Sequence, residues 1–203
     1  MITKKTIDSA LNYEEYFSKL EKLYEEGKTS GPEQSEELIA YSKLNFSRMK
    51  RLSKTIELGQ ELKDALENCS EPMIWLVLTE AWCGDAAQSI PLLGKIAKEN
   101  SCIDLKLIFR DENLDIMDQF LTNGGRSIPK LIALRNSDLK VLGTWGPRPK
   151  AAQDLVNQLK EQNLEKEEWI TQIQMWYTKD KTTHQQKEIV EALKAWHEES
   201  NKK

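Results

Sequence analysis

Cysteine and histidine are scarce in this 203-residue chain, which contains three cysteines and two histidines. An odd number of cysteines without an export signal argues against a disulfide framework and favours reduced thiols. His184 and His197 lie in a charged helical region, and a zinc site would need more ligands at tighter spacing. Ser-His-Asp patterns, Walker loops and dinucleotide glycine motifs are also missing from the sequence. We therefore expect neither a metal ion nor a cofactor.

Long apolar runs and blocks of like charge are missing too. No segment approaches the length needed to cross a bilayer, and residues 1–16 carry charges where a signal peptide needs an apolar stretch. The net charge is −4, with both signs interspersed, so no basic block suggests nucleic acid. Hydrophobic residues make up 39% and charged residues 31% of the chain. We expect a soluble cytoplasmic protein that binds neither a membrane nor nucleic acid.

The hydrophobic pattern divides the chain into three parts. Residues 1–70 show apolar positions at helical spacing and are predicted as an N-terminal helical extension packed on the core. Residues 71–162 alternate between strand and helix patterns and are predicted as the α/β core. Residues 163–203 are predicted as a C-terminal helical hairpin.

The middle part carries the fold prediction. Residues 73–78 form a continuous apolar run, as expected of a parallel strand covered on both faces. The predicted strands are 73–78, 105–109, 131–134 and 140–144, and the predicted helices are 83–98, 113–121 and 148–162. Two helical crossovers followed by a hairpin give a mixed central sheet with helices on both faces, a three-layer α/β fold.

The most informative motif is Trp-Cys-Gly-Asp-Ala at residues 82–86, between the first strand and a helix. Pro91 follows within that helix, and Arg126 with Ser-Ile-Pro at residues 127–129 directly precedes the third strand. A Gly-Thr-Trp-Gly segment occupies residues 143–146. In this order and on these elements, the motifs resemble the thioredoxin family. The resemblance implies a thioredoxin-like fold with added terminal helices, and the whole chain looks closer to a bacterial thioredoxin-like family than to thioredoxin itself.

The resemblance also implies roles for individual residues. Cys83 corresponds to the nucleophile of thiol-disulfide exchange. Pro129 corresponds to the cis-proline, whose loop exposes the backbone of Ile128 to an extended substrate. Trp82 offers a flat apolar face beside the thiol, and Arg126 precedes the loop. These four residues around Cys83 (Trp82, Arg126, Ile128 and Pro129) form the predicted substrate site.

Two departures from the family limit this chemistry. Ala86 stands where the resolving cysteine belongs, and Val77 stands where thioredoxin has a buried aspartate. A lone thiol forms a mixed disulfide but cannot release itself, so turnover needs an outside thiol. Cys69 and Cys102 cannot substitute, because both are predicted at the opposite edge of the sheet, about 20 Å away.

Asp85 replaces the proline or histidine common in this turn. A helix start lowers the pKa of Cys83, whereas a carboxylate about 6 Å from the sulfur raises it by about one unit. We therefore expect an accessible, modestly acidic thiol. Asp85 is assigned either a catalytic role in proton transfer or the role of an acid that stabilises the first helical turn.

Three functional hypotheses follow. In the preferred one, Cys83 performs monothiol exchange with protein or low-molecular-weight thiols and disulfides, which makes the protein a possible oxidoreductase. In the second, the thioredoxin fold is a non-catalytic interaction module that uses the groove of Trp82 and Pro129. In the third, Cys83 is a redox sensor that other proteins reduce.

Overall fold

The computed structural model describes residues 1–69, 71–162 and 164–201. The strands are β1 (Met73–Thr79), β2 (Ile103–Phe109), β3 (Lys130–Arg135) and β4 (Val141–Trp145). The helices are α1 (Lys4–Ser9), α2 (Tyr13–Glu25), α3 (Glu36–Thr55), α4 (Gln60–Glu67), α5 (Gly84–Glu99), α6 (Leu114–Met117), α7 (Lys150–Glu161), α8 (Lys166–Asp180) and α9 (Thr183–Ser200). A 3-10 turn at Arg110–Glu112 precedes α6.

The four strands form one mixed sheet in the order β2-β1-β3-β4. β1 pairs parallel with β2 and antiparallel with β3, so that Val77 lies between Leu107 and Leu131. β4 pairs antiparallel with β3 at the edge. Every residue of β1 is buried, because the strand lies inside the sheet with both faces covered. The mixed α/β fold predicted from the sequence is confirmed.

Helices from both ends of the chain complete the core. α3 packs along α5, and α9 packs against α4 and β4. Trp196 of α9 meets Trp75 of β1 edge to face, with ring centroids 5.8 Å apart. Gly143 of β4 lies directly under the Trp196 indole, where a β-carbon would collide with the ring. A residue without a side chain at position 143 is therefore what lets α9 dock on the sheet.

α8 does not share this core. Its residues Ile173 and Tyr177 pack instead with α7 in a separate small cluster that includes Val156 and Leu159. Ile189 and Leu193 of α9 belong to the main core. α8 is thus attached to the molecule mainly through α7 and through contacts at the start of α5.

Element boundaries differ from the predicted ones by one or two residues, with one larger difference. The helix predicted at 113–121 is only the single turn α6, because the apolar pattern supplies just two buried positions there, Ile116 and Met117. The predicted part boundaries fall at residues 70 and 163, which lie outside the described residues, as do residues 202–203. Within the described part of the chain, no helix has the length and apolarity to span a membrane.

Candidate functional site

Cys83 lies at the junction of β1 and α5, where it is the N-cap residue of the helix. Its Sγ accepts a hydrogen bond from the Ala86 amide at 3.4 Å. The same sulfur lies 3.3 Å from the carbonyl oxygen of Ile128, to which the thiol donates. The Ile128–Pro129 peptide bond is cis. The fold thus brings the thiol and the proline loop together, although 45 residues separate Cys83 from Ile128.

The protonation state of Cys83 differs from the sequence-based expectation. The residue is only 8% exposed, and burial raises the pKa of its thiol to about 12, with the charge of Asp85 adding to the increase. The amides of Ala86 and Asp85 and the charge of Arg148 lower the pKa by less. The expectation of an accessible, modestly acidic thiol was wrong, because desolvation outweighs the favourable helix start.

Asp85 is fully engaged by two side chains from distant parts of the chain. Arg148 donates to Asp85 Oδ2 from Nε at 3.0 Å and from Nη2 at 2.5 Å. Tyr177 of α8 donates its hydroxyl to Asp85 Oδ1 at 2.7 Å. Burial, followed by the Asp85 charge, raises the pKa of Tyr177 well above its usual value. Asp85 therefore links the turn at residues 82–85 to α8 and to Arg148.

Arg148 and Tyr177 were not identified from the sequence. Tyr177 occupies the apolar face of a predicted helix, which indicates core packing and nothing more. Arg148 lies in a Pro-Arg-Pro segment that indicates only a helix start. No local signal pairs either residue with Asp85, since 63 and 92 residues separate the partners.

The remaining predicted substrate residues surround the thiol on one side. Trp82 is half-buried, and the guanidinium carbon of Arg110 lies 4.9 Å from its ring centroid, a cation–π contact. Arg126 forms a bidentate pair with Asp118, at 2.6 and 2.9 Å. Ile128 is buried. Arg126 thus has an ionic partner already, and the Ile128 carbonyl is taken by the thiol.

Glu80 is a buried acid that the sequence reasoning missed. It is 1% exposed, and burial raises the pKa of its carboxyl group. Its side chain accepts hydrogen bonds from the Ser30 hydroxyl and from the Asp111 amide. Its carbonyl accepts the Cys83 amide at 3.2 Å. The available signal was an acid directly after a mostly apolar strand. In the structure, Glu80 connects the loops of Ser30 and Asp111 to the turn that carries the thiol.

A cleft of about 870 Å³ opens beside Cys83, between α3 and α8. The turn at residues 82–85 and the loop at 126–128 form its floor. Apolar side chains of both helices line it: Leu38, Tyr41 and Leu44 from α3, and Ile170, Ile173 and Met175 from α8. Gln88 of α5 donates a hydrogen bond to the amide oxygen of Gln174 in α8 at 2.8 Å. The Gln174 side chain also lies so close to Gly84 that a β-carbon there would be 3.2 Å from its Nε2. α8 is therefore the element that covers the thiol.

The other two cysteines form a pair of neighbours, remote from Cys83 along the strands that they precede. Cys102 donates from Sγ to the Cys69 carbonyl at 2.8 Å. Burial, followed by the neighbouring Cys102, raises the pKa of Cys69 to about 12. Among the residues that the structure describes, no three His, Cys, Asp or Glu side chains are grouped to hold a metal ion.

Cys83 lies at the start of a helix that follows a strand of a mixed sheet, and it faces a cis-proline loop. This arrangement defines a protein of the thioredoxin-like class. The family model described as thioredoxin matches residues 31–163, more than half of the chain, and the protein belongs to this family. The match includes α3, which the sequence analysis had placed outside the resemblance. No curated protein matches the sequence significantly.

Two solved structures are similar in fold. One is a Pseudomonas aeruginosa protein of unknown function, with a TM-score of 0.68 and 16% identity over 96% of this chain and 98% of that one. The other is an HIV epitope-scaffold protein, with a TM-score of 0.56 and 17% identity over 86% of this chain and 96% of that one. At these identities the likeness concerns the fold alone. It does, however, extend over both terminal helical regions in the first case.

Proposed function

We propose that this thioredoxin-family protein binds an extended segment of a partner protein in the cleft between α3 and α8, and that Cys83 remains a neutral thiol in that state. The observation that carries the proposal is the exposure of large apolar side chains on both cleft walls. Leu44 is 47% exposed and Met175 is 55% exposed. Apolar side chains gathered in a concave site indicate a binding surface.

The thiol chemistry supports binding without turnover. With its pKa raised to about 12, Cys83 is almost entirely protonated at neutral pH, and the thiolate is the reactive form. Ionisation would also remove the hydrogen bond to the Ile128 carbonyl. Ala86 supplies no second sulfur. The free thiols at Cys69, Cys83 and Cys102 suit a reducing compartment, so a cytoplasmic location is part of the proposal.

Monothiol exchange is the second candidate, favoured by the position of Cys83 on the cleft wall beside Ile128. Cys83 would lose its proton, with Asp85 or water as acceptor, and its thiolate would attack a protein or low-molecular-weight disulfide. A sulfur–sulfur bond to Cys83 forms, and one thiolate leaves. An external thiolate such as that of glutathione would then attack the substrate sulfur of this mixed disulfide, forming a new disulfide with it and releasing Cys83, which takes up a proton.

The alkylation rate of Cys83 against pH separates the two candidates. If the protein binds without exchange, iodoacetamide should label Cys83 more slowly than free cysteine at neutral pH. The labelling rate should still be rising at about pH 10, because the thiol has not yet ionised. Cys83→Ser supplies the background from the other two cysteines. Labelling faster than free cysteine at neutral pH would assign the function to exchange.

Binding itself is tested by selecting a random decapeptide library on the immobilised full chain. Leu44→Gln with Met175→Gln is expected to abolish retention of the selected peptides, because it removes apolar area from both walls. The matched control is Leu121→Gln with Val141→Gln, which changes two residues of 41% and 40% exposure outside the cleft. Selection of no peptide, or equal loss in both variants, contradicts the proposal.

A further inference from the structure

Basic residues outnumber acidic ones along the cleft, although the chain as a whole is negatively charged. Seven basic residues line it (Arg48, Arg51, Arg110, Arg126, Arg148, Lys166 and Lys179), against three acidic ones (Glu37, Asp85 and Glu167). The chain as a whole carries a net charge of −4. A concave site with low-dielectric walls concentrates the field of such charges and attracts ligands of the opposite sign.

Most of these cations are neutralised within the protein. The ion pairs are Arg110 with Asp111 at 2.7 Å, Arg126 with Asp118 at 2.6 Å, Arg148 with Asp85 at 2.5 Å and Lys166 with Glu37 at 2.9 Å. These pairs hold loops and helices in place around the cleft. They leave little charge free to attract a ligand.

Three of the seven basic residues have no ion-pair partner among the described residues: the exposed Lys179 of α8, and Arg48 and Arg51, which lie together on α3. Neither guanidinium lies within 4 Å of a carboxylate belonging to the described residues. Arg48 is half-buried and donates only to the amide oxygen of Asn45, at 3.1 Å. Burial, followed by the charge of Arg51, lowers the pKa of Arg48. Two like charges one helical turn apart repel each other, and a bound anion would relieve both the repulsion and the loss of hydration.

We propose that the segment received by the cleft is acidic, with carboxylates on Arg48 and Arg51 and apolar side chains between α3 and α8. This inference rests on the proposed function and names the partner's chemistry. Guanidinium groups bind carboxylates through paired hydrogen bonds that favour a fixed geometry. A small inorganic anion would leave Leu44 and Met175 uncovered, whereas a peptide that combines acidic and apolar residues covers them.

The test uses peptides selected from the decapeptide library on the full chain carrying Cys83→Ser, so that no mixed disulfide forms. The selected peptides are expected to be enriched in Asp and Glu beside apolar residues. Arg48→Gln with Arg51→Gln should weaken their binding at least about tenfold at low salt, as expected for the loss of charged hydrogen bonds. The affinity of the protein that keeps both arginines for these peptides should also fall with added salt.

The matched control is Lys43→Gln with Lys54→Gln, which removes two exposed positive charges from the same helix outside the cleft. This variant should bind the acidic peptides within about twofold of the parent, since Lys43 and Lys54 do not line the cleft and make no direct hydrogen bond to a peptide bound there. Equal weakening in both variants would indicate a general charge effect and overturn the inference. Selected peptides without acidic enrichment would also overturn it while leaving the cleft as a binding site. Loss of all selection would overturn the proposed function itself.

Discussion

Arg148 donates two hydrogen bonds to one oxygen of Asp85, from Nε at 3.0 Å and from Nη2 at 2.5 Å. This ion pair lies in the cleft with Cys83, the only thiol among the described residues that line it. Tyr177 holds the other oxygen. Asp85 raises the pKa of Cys83 through its charge, and Arg148 lowers it. Burial, followed by the Asp85 charge, thus raises the pKa of the thiol, and the Tyr177 hydrogen bond joins the turn at residues 82–85 to α8.

Asp85→Asn should make Cys83 more reactive and the protein less stable. The change removes the negative charge that raises the thiol pKa and leaves the Arg148 cation, which lowers it, unopposed. Because the side chains of Arg148 and Asp85 are only 18% and 12% exposed, leaving Arg148 unpaired should cost about 2–3 kcal/mol of unfolding free energy. Iodoacetamide kinetics and urea unfolding measure the two effects.

Asp118→Asn is the control for that change, since it breaks an exposed pair with Arg126 whose charges are not among those that shift the pKa of Cys83. Both its stability and its Cys83 labelling rate should match those of the parent. An unaltered labelling rate in Asp85→Asn would show that the carboxylate does not influence the thiol.

Ala86→Cys should restore a dithiol. The Ala86 amide lies 3.4 Å from Cys83 Sγ, which places a new sulfur on the first turn of α5 within disulfide reach. The oxidised variant should lose two hydrogens in mass and gain dithiothreitol-dependent reduction of insulin. Ala87→Cys, one buried position further along the helix, is the comparison. Equal behaviour of the two variants would contradict the geometry of the turn.

Glu80→Gln tests the buried acid through the pH dependence of stability. A carboxyl group whose folded-state pKa is raised binds its proton more tightly in the folded than in the unfolded chain. Its contribution to stability is therefore fully present below the ordinary value of 4.5 and is lost as the pH rises through the folded pKa. Parent stability minus variant stability, measured by urea unfolding, should therefore fall as the pH rises above about 4.5.

Glu112→Gln, at an exposed acid in the neighbouring 3-10 turn, is the control for Glu80 and should leave the difference constant across this pH range. A parent-minus-variant difference that rises with pH at Glu80 would mean that the folded state favours the ionised carboxylate.

Gly143→Ala should weaken the docking of α9. The added methyl group would collide with the Trp196 indole, which is itself packed on Trp75. Overpacking of this kind costs about 1–3 kcal/mol. Gly125→Ala, whose β-carbon would make only ordinary contacts, should be close to neutral. Urea unfolding compares the two, and the tryptophan fluorescence of the Gly143 variant reports whether Trp196 has moved.

Local sequence was sufficient for the central elements of the fold. Residues 73–78 are apolar throughout, so the burial of β1 at the centre of a sheet needed no information from elsewhere. The Trp-Cys-Gly turn placed Cys83 at the start of α5, and the motif order placed the Pro129 loop opposite it. α6 was predicted too long, because its two buried residues gave no measure of where the helix ends.

The site could be predicted only in part. Motifs identified Cys83, Asp85, Trp82 and the loop at 126–129. They did not predict the burial and protonation of Cys83 or the partners of Asp85. Arg148, Tyr177 and the α8 wall reach the thiol from more than 60 residues away. Their spacing carries no signal for that contact, since each fits an ordinary helix start or helix face.

The amino-acid sequence alone determined a mixed α/β protein with one cysteine at a helix start and no resolving partner. Tertiary structure decided that this cysteine is a buried neutral thiol on the wall of a basic, partly apolar cleft. The physical reason is that strand and helix patterns depend on neighbours along the chain. Desolvation and charge at Cys83 depend instead on the packing around its sulfur and on Arg148, which only folding brings to it.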